Sequence, residues 1–335
     1  MKENKSVILW LLSGCFLILS MVVIGGITRL TDSGLSMVDW SLVKGAIPPL
    51  NQTDWIELFN KYKQTPEFQK INSDYTLKDF KFIFFWEYLH RMIGRLLGVV
   101  FILPFLYFLI KKRLNKKLIQ QSLVLFSLGA LQATIGWWMV KSGLVGRPDV
   151  SHYRLAVHLT TAFLTCSYTL WVALPLILKK KNIGNHKVLR YLMFLSLIVI
   201  IQIIYGAFVA GLKAGEAFPT WPKMGEEFIP REVFSSNPQW NFLNGMFGVQ
   251  FIHRILAIFI VIISIFIYYK TKFLKLEYIQ KISLKIIFSL IFIQFVLGVF
   301  TLIYSVPISL AILHQLGAFF LLLSIVYALF VFKID

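Results

Sequence analysis

Eight stretches of the chain stay apolar long enough to cross a bilayer. They run over residues 7–26, 82–110, 118–140, 153–178, 188–211, 248–269, 282–304 and 308–332. A spanning helix needs about 20 mostly apolar residues. The pattern therefore predicts an all-α polytopic membrane protein with eight transmembrane helices. The polar segments between them differ in length. Those after spans 2, 4 and 6 are short, whereas residues 27–81 and 212–247 form long loops on the opposite side. Within the first long loop, Trp55, Leu58, Phe59 and Tyr62 recur at i, i+3, i+4 and i+7. That spacing predicts an amphipathic helix, either capping the neighbouring spans or lying in the membrane interface.

Composition supports the same class. Hydrophobic residues make up 57% of the 335 residues and charged residues only 15%, where soluble domains hold about a quarter. A soluble enzyme of this length could not bury so much apolar surface, and disorder needs the opposite composition. Two cysteines are too few for a disulfide scaffold or a Cys-based cluster. Both lie inside spans. The apolar run continues past Cys15, so the first span is expected to be retained rather than cleaved as a signal.

The net charge of +18 would suggest nucleic acid in a soluble protein. Its placement says otherwise. The segments KKRLNKK, KKKNIGNHK and KTKFLKLEYIQK, with Lys2, Lys5, Arg190, Lys285 and Lys333, hold more than half of the 34 basic residues. That side carries three acids, Glu3, Glu277 and Asp335. The positive-inside rule then puts both termini in the cytoplasm. A bacterial cytoplasmic (inner) membrane is the expected location. Membrane lipid is the expected surroundings, and no nucleic-acid partner is expected.

The spans also repeat. Residues 25–40 (GGITRLTDSGLSMVDW) align without gaps on 206–221 (GAFVAGLKAGEAFPTW), matching Gly25 with Gly206, Gly34 with Gly215 and Trp40 with Trp221. Spans 2 and 6 contain YLHRMIGRLL and QFIHRILAIF. Gln132 precedes Gly136 in span 3 as Gln294 precedes Gly298 in span 7. Spans 4 and 8 contain LAVHLTTA and LAILHQLGA. Four matches in one order predict two pseudo-symmetric four-helix bundles in parallel orientation. The expected division is 1–187, containing the outer loop 27–81, and 188–335.

His90, His158, His253 and His314 fall at equivalent points on spans 2, 4, 6 and 8, each within about two turns of the outer entry. A lone membrane histidine can be no more than an interhelical hydrogen bonder, but intramembrane ionisable groups are functional by default. Paired as His90 with His158 and His253 with His314, they suit an iron porphyrin, which needs only two axial ligands. A bare zinc or copper ion would want more. Gly94, Ala162, Ala257 and Ala318 follow each histidine at i+4, leaving room for a flat ring or for close helix packing. Arg91, Arg95, Arg154 and Arg254 are candidates for the propionates, with interfacial snorkelling the alternative. His152 and His186 fall in loops.

The halves differ at one telling position. Glu87 stands three residues before His90 and shares a helix face with Arg91, Gly94 and Arg95. Its counterpart before His253 is Gln250, which cannot exchange a proton at neutral pH. Glu87 is thus a candidate acid–base group in the N-terminal half, with a salt bridge to Arg91 as the plainer alternative. One reactive site and one electron-relay site are expected.

ITRLTDSGLSMVDW, the proline pair of GAIPPL, WEYLHRMIGR, the His-Arg pair of span 6 and LHQLGA of span 8 resemble the haem A synthase family, over residues 20–320 approximately. The resemblance implies an oxidoreductase that converts the C8 methyl of haem O to a formyl group through a hydroxymethyl intermediate. It implies haem O as substrate between His90 and His158, haem b between His253 and His314, and Glu87 as the catalytic carboxylate. Arg91, Arg95 and Arg254 would bind the cofactors' propionates. Haem O synthase, cytochrome oxidase assembly factors and an electron acceptor of unknown identity are the implied partners. The chain is similar to the branch without a cysteine pair in an outer loop. The competing readings are a dihaem membrane cytochrome that only transfers electrons and, more remotely, a parallel-repeat transporter.

Overall fold

A computed structural model describes residues 2–38, 44–145, 148–178, 184–234 and 238–333. Trp40 and part of the basic segment at 179–187 lie outside the described residues. The helices are α1 (Lys2–Leu30), α2 (Gln52–Tyr62), α3 (Pro66–Lys70), α4 (Leu77–Ile110), α5 (Lys116–Gly143), α6 (His152–Ile177), α7 (His186–Gly211), α8 (Pro238–Asn244), α9 (Met246–Thr271), α10 (Tyr278–Ile303) and α11 (Ile308–Phe332). Eight of them, α1, α4 to α7 and α9 to α11, are long and apolar enough to span a membrane, and they coincide with the eight apolar stretches. Three short helices, α2, α3 and α8, occupy the long loops.

The chain divides into two compact units, residues 13–158 and residues 1–12 with 159–335. In the second, α7 packs on α9, α9 on α10, α10 on α11, and α11 back on α7. That closed ring is a four-helix bundle. Its seam is visible along α7, where Val188, Leu192, Leu195, Val199 and Ile203 are buried. Met193, Phe194 and Leu197, on the opposite face, are about half exposed. A helix apolar on both faces has one face for its neighbours and the other for lipid.

In the first unit α4 contacts α2 and α5. It also meets α1, where Met21 packs on Gly94 and the Thr28 hydroxyl reaches the Trp86 carbonyl at 3.4 Å. Thr76 and Asp79 form a capping box that starts α4 well before the apolar span proper. Its 34 residues correspond to about 51 Å, far more than the roughly 30 Å hydrocarbon core. The surplus carries a small aromatic core of Phe59, Tyr62, Phe80, Ile83 and Phe84, with Trp55 and Leu58 packed on it. The amphipathic helix expected over 55–62 is therefore α2, and its apolar face is covered by α4 rather than left for an interface.

Candidate functional site

Each of the four histidines sits against a glycine of a neighbouring helix. A Cβ placed on Gly25 of α1 would stand 3.1 Å from His90 Nε2, and one on Gly136 of α5 would stand 3.0 Å from His158 Cε1. In the other unit a Cβ on Gly206 of α7 would lie 3.2 Å from His253 Cε1, and one on Gly298 of α10 only 2.9 Å from His314 Cε1. Gly25 and Gly206 are repeat-equivalent, as are Gly136 and Gly298. Missing side chains at these four points let the imidazoles approach the neighbouring backbone.

Glutamines hold three of the four histidine helices. Gln132 Nε2 donates to the His158 carbonyl at 2.8 Å and lies 3.1 Å from His158 Nδ1. Gln202 Nε2 donates to the His253 carbonyl at 3.1 Å, and Gln294 Nε2 to the His314 carbonyl at 2.8 Å. Gln202 is a candidate site residue that the sequence did not single out. Its signal was available, four residues before Gly206, in the spacing that joins Gln132 to Gly136.

His253 and His314 face each other with ring centroids 6.4 Å apart and planes at 81°. The buried Nδ1 atoms of both have no hydrogen-bond partner. Two metal–imidazole bonds of about 2 Å each would set axial ring centroids roughly 6 Å apart. The pair therefore fits an iron held between two imidazoles. Among the described residues no group of three or more His, Cys, Asp or Glu is placed to hold a metal ion. The remaining ligands would have to come from a macrocycle such as a porphyrin.

Glu87 is buried, with 4% of its surface exposed. Its Oε2 accepts from the Ser36 hydroxyl at 2.7 Å and from the Met37 N–H at 2.8 Å, and its Oε1 accepts from Arg91 at 2.6 Å. Arg91 also donates to the Met37 carbonyl at 3.0 Å. The salt bridge anticipated between Glu87 and Arg91 is present, and it is one part of a larger anchor on the loop after α1. The other unit repeats the anchor with one reversal. Arg254 donates to the carbonyls of Phe218 at 2.7 Å and Thr220 at 2.9 Å. Gln250 donates its amide to the carbonyls of Gly215 at 3.4 Å and Phe218 at 3.3 Å. Met37 and Phe218 are repeat-equivalent. The carboxylate therefore meets the loop's donors, and the amide meets the loop's acceptors.

The remaining sequence candidates are spread out. Arg95 lies beside Gly45, with its guanidinium 3.2 Å from where a Cβ would stand. Arg154 donates to the Trp138 carbonyl at 2.7 Å and stacks over the Trp138 ring. His186 is exposed as expected, but it is the first residue of α7 rather than a loop residue. His152 differs from its loop assignment: it is the first residue of α6, only 8% exposed, with its ring 4.1 Å from that of Tyr153. Helix α6 thus begins one residue before its apolar run.

A second buried acid was not foreseen. Glu67 of α3 is 4% exposed and accepts from the Tyr62 hydroxyl at 3.0 Å, which in turn accepts from the Asn72 amide at 2.9 Å. Burial raises the Glu67 carboxyl to about 8, with the negative charge of Glu87 adding to the effect. Burial and the nearby Glu67 likewise push the Tyr62 phenol up.

Fold and site define a polytopic all-helical membrane protein that seats histidines at repeat-equivalent glycines in each of two units. Comparison with known proteins is consistent with that class. The family model COX15-CtaA, described as "Cytochrome oxidase assembly protein", matches residues 8–326. The chain is 51% identical over 334 residues to the Heme A synthase of Flavobacterium psychrophilum and 52% identical over 334 residues to that of Flavobacterium johnsoniae, covering 98% of both chains in each case. It is 44% identical over 323 residues to the Heme A synthase of Nitrosospira multiformis, covering 95% of this chain and 91% of the relative. The chain belongs to the haem A synthase family.

Proposed function

We propose that this protein is a haem A synthase of a bacterial cytoplasmic membrane, with both termini in the cytoplasm. Haem O is the substrate, held between His90 and His158, and its C8 methyl is oxidised to a formyl group through a hydroxymethyl stage. Haem b, held between His253 and His314, supplies an electron-relay centre when bound. With water as the oxygen source, methyl to formyl releases four electrons and four protons. An external acceptor takes the electrons.

The observation that carries this reading is the Glu87/Gln250 exchange within two otherwise matching anchors. Arg91 and Arg254 bind the same loop carbonyl position in the two units, so the frame is shared. Only the N-terminal frame contains a group that can take up a proton. Two N–H donors and a hydroxyl surround Glu87. Ser36 is the one neutral rotor among them, so its hydroxyl is the partner that can turn away when Glu87 accepts a substrate proton. Arg91, Arg95 and Arg254, all on the histidine helices α4 and α9, are the residues to meet propionates.

The test is an analysis of extracted haem. The chain is expressed in a host that makes haem O but no haem A, purified, and its acid-extracted haems are separated with mass detection. Haem A or its hydroxymethyl precursor alongside haem b supports the synthase. Haem b alone, at two per chain, overturns it in favour of a dihaem electron carrier.

A further inference from the structure

We infer that Gln132, Gln202 and Gln294 are positioning residues that fix three of the four axial histidines, and that Met21 in the fourth place leaves His90 as the ligand that releases during haem exchange, an assignment that rests on the haem reading above. Three of the four helices that seat a histidine share one spacing. Gln132 precedes Gly136, Gln202 precedes Gly206 and Gln294 precedes Gly298, each by four residues, so amide and glycine lie on one helix face. The glycine admits the ring, and the amide one turn earlier grips the carbonyl of the same histidine. At the fourth seat the residue four before Gly25 is Met21.

Met21 fills the space without making the bond. Its terminal methyl lies 3.5 Å from where a Cβ on Gly94 would stand, one turn beyond His90 on α4. Among the described residues no side chain donates to the His90 carbonyl. A thioether packs adaptably and offers no N–H. The carbonyl of His90 is thus tied to its own helix alone, and the α1–α4 contact at this level is apolar. Gln132 Nε2 and Gln202 Nε2 also lie 3.1 Å and 3.4 Å from a ring nitrogen of their histidines. Partners outside the first ligand set orient the ring and tune the ligand. Three of the four histidines are gripped by such an amide at their carbonyl; among the described residues His90 is not.

The asymmetry matches the two haems' different tasks. A resident haem gains from two fixed ligands. A substrate haem must enter and its product must leave, which one fixed ligand and one yielding ligand allow.

Haem release from the full-length detergent-purified protein tests this. The protein is loaded with haem O and haem b, excess apomyoglobin captures what leaves, and the haem remaining on the protein is extracted at intervals and identified by mass. One hydrogen bond of about 1.4 kcal/mol corresponds to about tenfold in rate. Met21→Gln should slow haem O release by about that factor, and Met21→Leu should leave the rate unchanged. Gln202→Met should speed haem b release by a similar factor and shift only that haem's low-spin EPR signal. Wild-type haem O release from Met21→Gln, or an unaltered haem b rate and signal in Gln202→Met, overturns the inference. If Gln202→Met loses its helical circular dichroism, the Met21→Gln rate decides alone. A wild-type chain that takes up no haem overturns the functional reading and this inference together. A loaded wild type with indifferent variants overturns the inference only.

Discussion

At the scale of single residues, the site depends on what is absent as much as on what is present. Gly298 has the tightest approach to a histidine, so Gly298→Ala must move His314 or α10. It should abolish the C-terminal haem signal in the absorption spectrum. Gly129→Ala is the matched control, because nothing lies within 4 Å of a Cβ there. It should retain the signal and, in a helix interior, gain a few tenths to about 1 kcal/mol. Glu87→Gln should keep haem bound while slowing conversion by about 10²–10⁴, the usual contribution of a general base. Haem content and extracted product, measured together, separate those two effects. The histidines, Glu87 and the arginines were legible from the sequence because ionisable residues in apolar helices stand out against their surroundings. Gln202 and Met21 were not, since a single amide or thioether in a membrane helix is unremarkable until its neighbour across the interface is known.

At the scale of elements, the extension of α4 and the helices resting on it form a small soluble-type core outside the spans. The periodicity of Trp55, Leu58, Phe59 and Tyr62 announced α2, but not what would cover it. The partner is the first two turns of α4, whose Phe80, Ile83 and Phe84 are indistinguishable in sequence from the start of a lipid-facing span. Glu67 was illegible for a related reason: nothing local says that a carboxylate in a polar loop will be buried under Tyr62. Its raised folded-state pKa of about 8 means that the folded segment holds a proton which the unfolded segment gives up near pH 4.3. Its contribution to stability is therefore fully present at low pH and is lost as pH rises through about 8. Hydrogen exchange over α2 and α3 should accelerate between about pH 5 and pH 8 beyond the intrinsic chemical rate. Glu67→Gln, which keeps an acceptor for Tyr62 without the titration, should remove the excess.

At the scale of the whole molecule, the count of spans was fully legible, because length and apolarity alone specify a bilayer-crossing helix. Their ends were less so. Helix α1 runs four residues past its apolar stretch to Leu30, and α4 starts five residues before its own. Caps and loop packing set those ends, and hydropathy does not register them. The orientation argued from basic segments has a direct check. A cysteine introduced at Lys112 should be shielded from a membrane-impermeant thiol reagent in intact cells, and one at Glu226 should react. Cys15 and Cys166 lie within spans and give the background.

The opposed hydrogen-bond polarity of Glu87 and Gln250 constrains how the two halves can change. If both descend from one duplicated sequence, their divergence could not have been a matter of one side chain. Gln250→Glu would point a carboxylate at the carbonyl oxygens of Gly215 and Phe218, oxygen against oxygen, unless Arg254 one turn on left its own carbonyls to receive it. Glu87→Gln would leave one or more of three donors facing an amide. A single substitution in either half therefore leaves the rest of its anchor mismatched. The difference between the two anchors is thus held in place by backbone as well as by side chain, as in a ratchet with two teeth.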